Sequence, residues 1–243
     1  MIELLAAATG TTLATGLGAI PVFFVGRRAS RWEPALWGLA AGVMAVASVV
    51  GLILPAADHG SAGAVAAGLA VGLLFVAAAR LALSKRDVSV GELRGKDVRT
   101  SVLVFSVLFV HSLPEGFAIG TAYASDVEGL SLFVILAIAL QNIPEGTSVA
   151  IPMAEAGFTR SQQFWAAVLT SAPQPVGAAV AYLLVETIRG LLAFSFAFAA
   201  GAMLTLIASD LAPRALGRRD WHGLVGIVAG AAVMLLLSAV LGV

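Results

Sequence analysis

Cysteine is absent from this sequence, and charged residues are scarce. Without cysteine the chain has neither disulfide bonds nor thiolate metal ligands, although this leaves its redox compartment undecided. Aspartate, glutamate, lysine and arginine make up 12% of the 243 residues, whereas soluble domains carry about 25%. The formal net charge is zero, so a nucleic-acid partner would find no basic surface to bind. A disulfide scaffold and a nucleic-acid-binding protein are therefore excluded.

Apolar residues dominate instead, at 60% of the chain. Each of eight apolar runs has the roughly 20 residues that a helix needs to cross a bilayer. The 26 glycines suit helices that pack closely in lipid. We therefore predict an all-α integral membrane protein embedded in the lipid bilayer, with one transmembrane domain over residues 1–243. The predicted spans are about 2–25, 35–57, 62–83, 100–123, 129–152, 161–186, 190–212 and 222–242.

Basic residues fall almost entirely on one set of connecting segments. The connections after spans 1, 3, 5 and 7 hold Arg27, Arg28, Arg31, Lys85, Arg86, Arg94, Lys96, Arg99, Arg160, Arg214, Arg218 and Arg219. The opposite connections hold Arg189 alone. Because lysine and arginine accumulate in cytoplasmic loops, this bias predicts a cell-membrane protein with both termini outside. The polar segment 84–99 is expected to be a solvated loop.

Two stretches of the same pattern stand out, HSLPEG at 111–116 and QNIPEG at 141–146. In each, a metal-binding side chain precedes a glutamate by four positions, so that both lie on one helix face. A charged side chain inside a span costs roughly 2.5–3.5 kcal/mol and by default marks function. The proline bends the helix and frees a carbonyl, while the glycine lets another helix approach. Two such helices facing each other would enclose a cation.

The donor atoms in these stretches indicate which cation. His111 offers a nitrogen, and Glu115, Gln141 and Glu145 offer oxygens. Nitrogen with oxygen and no thiolate favours zinc, iron or manganese, whereas calcium and magnesium prefer oxygen alone. Two carboxylates balance a charge of 2+, which offsets the cost of burying the ion. The sequence therefore predicts an intramembrane site for a divalent transition metal.

The two stretches resemble the fourth- and fifth-helix signatures of the ZIP (Zrt/Irt-like protein) family of metal transporters, in which HNxPEG is common. AAGVMAVAS in span 2, PQPVGA in span 6 and FAAGAMLTLIASDLAP in span 7 extend this resemblance over nearly the whole chain. It is to the prokaryotic type and implies an eight-helix ZIP-like bundle. Such a protein carries a divalent metal, most often zinc and otherwise iron, manganese or cadmium, toward the cytoplasm. Its metal site lies between helices 4 and 5 and is often binuclear.

The resemblance also implies roles for single residues. Those matching the main metal site are His111, Glu115, Gln141, Glu145 and Met44. Those at the positions of a second site, which shares the two glutamates, are Asn142, Ser112 and Gln174. Ser112 replaces the usual asparagine, and Gln174 replaces a glutamate that similar proteins have before a proline. We therefore predict one well-formed metal site and a poor or absent second one.

Transport by alternating access is the preferred function, with the metal as substrate and no cofactor. One alternative is an intramembrane metalloenzyme, but the chain has neither an HExxH nor a Gly-x-Ser-x-Gly pattern. The other is a proton-coupled carrier of a different small solute. Two interpretations of Asp210 also stay open: a helix-end carboxylate paired with Arg214, or a group on the path of the metal. The sequence leaves the oligomeric state open, with a homodimer as one possibility.

Overall fold

Eight helical segments long and apolar enough to cross a membrane make up the computed structural model, which describes residues 1–84, 96–217 and 221–243. Each has at least 21 residues, about 30 Å at 1.5 Å per residue. The predicted all-α, eight-span class is thus confirmed. The segments, called spans 1 to 8, are Ile2–Val25, Arg28–His59, Ala62–Ala82, Val104–Ala124, Leu130–Glu155, Arg160–Thr187, Arg189–Leu216 and Trp221–Leu241.

Five spans are uninterrupted helices. The complete helices that contain spans 1, 3, 4, 5 and 8 are Ile2–Val25, Ala62–Ser84, Lys96–Ala124, Leu130–Glu155 and Trp221–Leu241. The helix of span 4 begins at Lys96, so the end of the predicted loop 84–99 is helical. Residues 85–95 of that loop lie outside the described residues.

Spans 2, 6 and 7 are interrupted next to prolines. Span 2 comprises Gly26–Trp32 (3₁₀), Glu33–Ser48, Val49–Ile53 (a π turn) and Leu54–His59. Span 6 comprises Arg160–Thr170 and Pro173–Thr187. Span 7 comprises Arg189–Leu191 (3₁₀), Leu192–Leu206, Ile207–Leu211 (a π turn) and Ala212–Leu216. Because Pro55 and Pro213 lack an N–H, the preceding turns lose a normal helical hydrogen bond and widen.

The spans pack as four close pairs, 1 with 5, 2 with 8, 3 with 7 and 4 with 6. Exchanging spans 1, 2 and 3 with 6, 7 and 8, and span 4 with 5, leaves this set of pairs unchanged. The same exchange relates the π turns of spans 2 and 7 and the Pro-Glu-Gly stretches of spans 4 and 5. The bundle therefore has an internal two-fold arrangement of its helices, as in transporters built from inverted repeats.

Spans 3 and 8 lie at the periphery, since only 17% of each hydrophobic window is buried, against 67% for span 5. Large aliphatic side chains cover the exposed face of span 8, for example Leu236 and Val240. Such a face needs an apolar solvent, which the bilayer provides. Spans 4 and 5 are the more enclosed, and their polar residues lie inside the bundle.

Candidate metal site

The paired stretches place their polar side chains in the interior. His111 and Glu115 lie one turn apart on span 4, and Gln141 and Glu145 lie one turn apart on span 5. All four are buried, with at most 4% of their surface exposed. Buried polar groups at this depth need partners from protein, water or an ion.

Glu115 lies at the centre of a set of amide hydrogen bonds. Gln141 Nε2 donates to its Oε1 at 2.8 Å, and Gln174 Nε2 donates to its Oε2 at 2.7 Å. The two amides come from spans 5 and 6, so Glu115 links three spans. Each bond orients one oxygen of the carboxyl group.

Several nitrogen and oxygen atoms of these side chains are buried with no hydrogen-bond partner in the described part of the chain. They are both ring nitrogens of His111, Oε1 of Gln141 and Oε1 of Glu145. Buried polar atoms are normally satisfied, so each such exception requires an explanation. An imidazole nitrogen, an amide oxygen and a carboxylate oxygen are together suitable ligands for a divalent transition metal. The chemistry of the unsatisfied atoms therefore fits such a cation.

These side chains do not form a closed coordination sphere. Among the residues that the structure describes, no three His, Asp or Glu side chains converge closely enough to hold an ion between them. Glu145 nevertheless lies near enough to Glu115 and to Asp210 for their charges to act on it. Because the acids and the imidazole do not close around an ion by themselves, a metal site in this arrangement would also need the amide oxygen of Gln141.

The residues matched to a second metal site are engaged in hydrogen bonds within the protein, and two of them bond to each other. Gln174 Nε2 donates to Asn142 Oδ1 at 3.3 Å as well as to Glu115, and Gln174 Oε1 accepts from Asn142 Nδ2 at 3.3 Å. Asn142 Nδ2 also donates to the carbonyl of Thr11 at 2.8 Å. Ser112 Oγ donates to the carbonyl of Leu108, in the preceding turn of its own helix. The amide of Gln174 thus occupies oxygens that a second cation would use.

Met44 is fully buried within an apolar core to which spans 1, 2, 4, 5, 6, 7 and 8 contribute buried residues. Within the described part of the chain no hydrogen bond joins it to the acids, and its matched role as a metal ligand stays a prediction. One turn along span 2, Ser48 Oγ is buried and has no partner among the described residues.

Two residues near the site did not appear in the sequence prediction. Thr11 Oγ1 of span 1 donates to Gln174 Oε1 at 2.8 Å, and Thr15 Oγ1 lies 2.7 Å from Ser171 Oγ of span 6. A signal was present, because threonines at positions 11 and 15 share one face of an otherwise apolar helix. Span 1 therefore contributes to the polar interior of the bundle.

The glycine of each Pro-Glu-Gly stretch lies in close contact with the backbone of a different neighbouring span. A Cβ on Gly116 would lie 2.1 Å from the carbonyl oxygen of Gln174, and one on Gly146 would lie 1.8 Å from that of Thr15. Real atoms do not approach so closely, so only glycine allows spans 6 and 1 to reach the site. This explains how Gln174 comes within hydrogen-bonding distance of Glu115.

Gly146→Ala should therefore destabilise the protein by about 1–3 kcal/mol, the usual cost of overpacking. The melting temperature in detergent measures the effect. Gly10→Ala is the matched control, because nothing lies within 4 Å of a Cβ at that position of span 1. Equal melting temperatures for the two variants would contradict the close contact between spans 1 and 5.

Comparison with known proteins identifies relatives. A family model described as ZIP zinc transporter matches residues 82–238. The zinc transporter GufA of Myxococcus xanthus is 32% identical, over 94% of this chain and 95% of its own length. The zinc transporter ZIPB of Bordetella bronchiseptica is 30% identical, over 94% of this chain and 78% of its own length. A plant protein from Arabidopsis thaliana, described as a proposed zinc transporter, is 37% identical over 83% of this chain, which spans about a third of it.

These relatives are named as transporters, which confirms the prediction that the chain is not an enzyme. The family model covers most of the chain, and the match to GufA covers nearly all of both proteins. The sequence resemblance and the eight-helix bundle agree with these matches. The chain belongs to the ZIP zinc transporter family.

Proposed function

We propose that this protein carries a divalent transition metal, zinc foremost, across the cell membrane toward the cytoplasm. The observation that carries the proposal is the set of buried donor atoms on His111, Gln141 and Glu145 that lack partners in the described residues. A divalent cation would satisfy them, and two carboxylates would balance its charge. Its bacterial relatives are named zinc transporters, which supports zinc; iron, manganese and cadmium suit the same donors.

The orientation of the protein in the membrane follows from the distribution of charge, and transport toward the cytoplasm is what the resemblance to the family implies. Positive residues concentrate on one set of connections, which the positive-inside rule places in the cytoplasm. Both termini then lie outside. The site between spans 4 and 5 would open alternately to the two sides through movement of rigid helix pairs. The close pairing of span 1 with 5 and of span 4 with 6 supports such movement.

Each site residue has a distinct role in this mechanism. Gln141 donates through nitrogen to Glu115, which turns its amide oxygen toward other partners and makes it available to the ion. Glu145 supplies a carboxylate oxygen and His111 an imidazole nitrogen. Glu115 supplies negative charge and is oriented by two amides. The hydrogen bonds of Gln174 favour a single transported ion over a pair of ions.

Uptake by purified protein tests the proposal. Proteoliposomes that contain the protein should accumulate radioactive zinc, and should accumulate cadmium, iron and manganese more slowly or not at all. Glu145→Ala should remove zinc uptake, because the site loses a buried charge. Glu128→Ala, at an exposed position between spans 4 and 5, should transport as the native protein does. Metal uptake that is equal with and without Glu145 would rule out this site as the route.

A further inference from the structure

At the basic end of span 7, a carboxylate of that span pairs with a guanidinium, and the guanidinium lies over an indole ring from span 2. Asp210 Oδ1 lies 2.8 Å from Arg214 Nε, and the guanidinium carbon of Arg214 lies 4.9 Å from the centre of the Trp37 ring on span 2. The Asp210 side chain is 10% exposed and that of Arg214 is 38% exposed. The carboxylates paired with Arg189 at the other end are far more exposed. Asp210 therefore holds its ion pair with Arg214 in a poorly solvated place.

Asp210 is also electrostatically connected to the metal-site residues. It lies in the π turn Ile207–Leu211, within the range of an electrostatic interaction with both His111 and Glu145. Arg214 lies one turn further along, nearer the end of the span and more exposed. Along span 7, the order is thus from the metal site to Asp210, then to Arg214, then to solvent.

We propose that Arg214 is the resident cation of Asp210, which the transported metal displaces as it passes between the site and the basic side of the bundle. This inference rests on the proposed function. A nearly buried carboxylate is costly when unpaired, so Asp210 needs a cation whenever no metal is present. The guanidinium supplies that cation, and the metal replaces it with no interval of uncompensated charge.

Trp37 provides the second partner that such an exchange requires. Its ring is almost fully buried, and a guanidinium over an indole face is stabilised by the cation–π interaction. When the metal binds Asp210, Arg214 loses the carboxylate and retains the ring. Arg80, a second cation among the described residues, instead donates to Ser209 Oγ at 2.8 Å. Arg214 is thus the cation that Asp210 holds.

The exchange has a consequence for transport. A metal at Asp210 must compete with an attached guanidinium, so it binds there weakly and leaves readily. Conduction through successive sites requires such weak binding. Arg214 therefore prevents the metal from being retained between the site and the solvent.

Zinc binding to the purified full-length protein tests this role. Arg214→Gln should strengthen binding at Asp210 about tenfold, the size expected for losing a competing charged hydrogen bond, and so reveal an additional zinc per chain in equilibrium dialysis. The additional zinc should disappear in the double variant Arg214→Gln/Asp210→Asn. Arg214→Lys, which keeps the charge, should bind zinc as the native protein does. Arg214→Met removes the charge while keeping the alkyl stem against Trp37, and replaces Arg214→Gln if that variant does not fold.

The outcomes separate this inference from the proposed function. In one outcome, the native protein binds zinc, Glu145→Ala does not, and Arg214→Gln and Arg214→Met bind no additional zinc. The inference about Arg214 is then wrong, and the proposed transport site stands. If the native protein binds no zinc at all, the proposed function fails first. Additional zinc that survives Asp210→Asn would likewise overturn the inference, because the ion would be bound elsewhere.

Discussion

Glu115→Gln should lower zinc affinity by about a hundredfold or more, because it breaks the arrangement on which three spans converge. Glu115 accepts one amide hydrogen bond on each carboxylate oxygen. Glutamine has a single oxygen, so either Gln141 or Gln174 loses its acceptor in a fully buried place. Leaving a buried polar group without its hydrogen-bond partner costs about 1–3 kcal/mol, and more where a charged group is involved, and 1.36 kcal/mol corresponds to a factor of ten.

Equilibrium dialysis with radioactive zinc measures this loss directly, and proteoliposome uptake measures its consequence. Glu128→Gln is the matched control, since it makes the same chemical change at an exposed position. The melting temperature of each variant shows whether the bundle is intact. Zinc affinity within a few-fold of the native value would mean that Glu115 has a structural role only.

Gln174→Glu should raise the number of bound zinc ions from about one to about two per chain. The native amide nitrogen donates to Glu115 and to Asn142. An oxygen in its place cannot donate, so those acceptors become available and a negative charge is added. Acids this close repel one another unless a cation or a proton lies between them. A divalent ion in place of the amide would remove that repulsion.

Metal content by mass spectrometry, with zinc titration, counts the ions. Gln174→Met is the control, because it removes the amide without adding charge and should leave the count unchanged. The glutamate variant should also melt at a lower temperature without zinc and recover with zinc, since an ion that binds only the folded state stabilises it. Two ions in the native protein, or one in the glutamate variant, would contradict the assignment of Gln174.

The eight spans and the burial of the paired stretches could be predicted because each depends on a local pattern. A run of about 20 apolar residues forms a membrane helix wherever it occurs in the chain. Side chains four apart share a helix face, so Glu115 and Glu145 had to lie beside His111 and Gln141. Because contact between a carboxylate and lipid is costly, these helix faces turn toward the interior of the bundle.

The direction of Gln174 could not be predicted in the same way. An amide presents either its oxygen or its nitrogen, and only the neighbours decide which. Those neighbours come from three other spans, and they meet because span 6 breaks before Pro173 and contacts Gly116. The π turns of spans 2 and 7 are similar cases, since a proline indicates a disturbance and tertiary packing determines its form. Thr11 was missed because threonine in a helix usually bonds to its own backbone.

The contacts between paired spans determine how this chain can diverge among organisms. A methyl group on Gly42 would lie 2.1 Å from the carbonyl oxygen of Ile227, and one on Gly72 would lie 2.1 Å from that of Phe198. Leu236 and Val240, by contrast, have most of their surface exposed on the outer face. In soluble proteins, selection acts most strongly on bulky core residues, whose truncation leaves cavities. Here the smallest side chains should change most slowly over evolution, while bulky aliphatic ones drift freely among themselves.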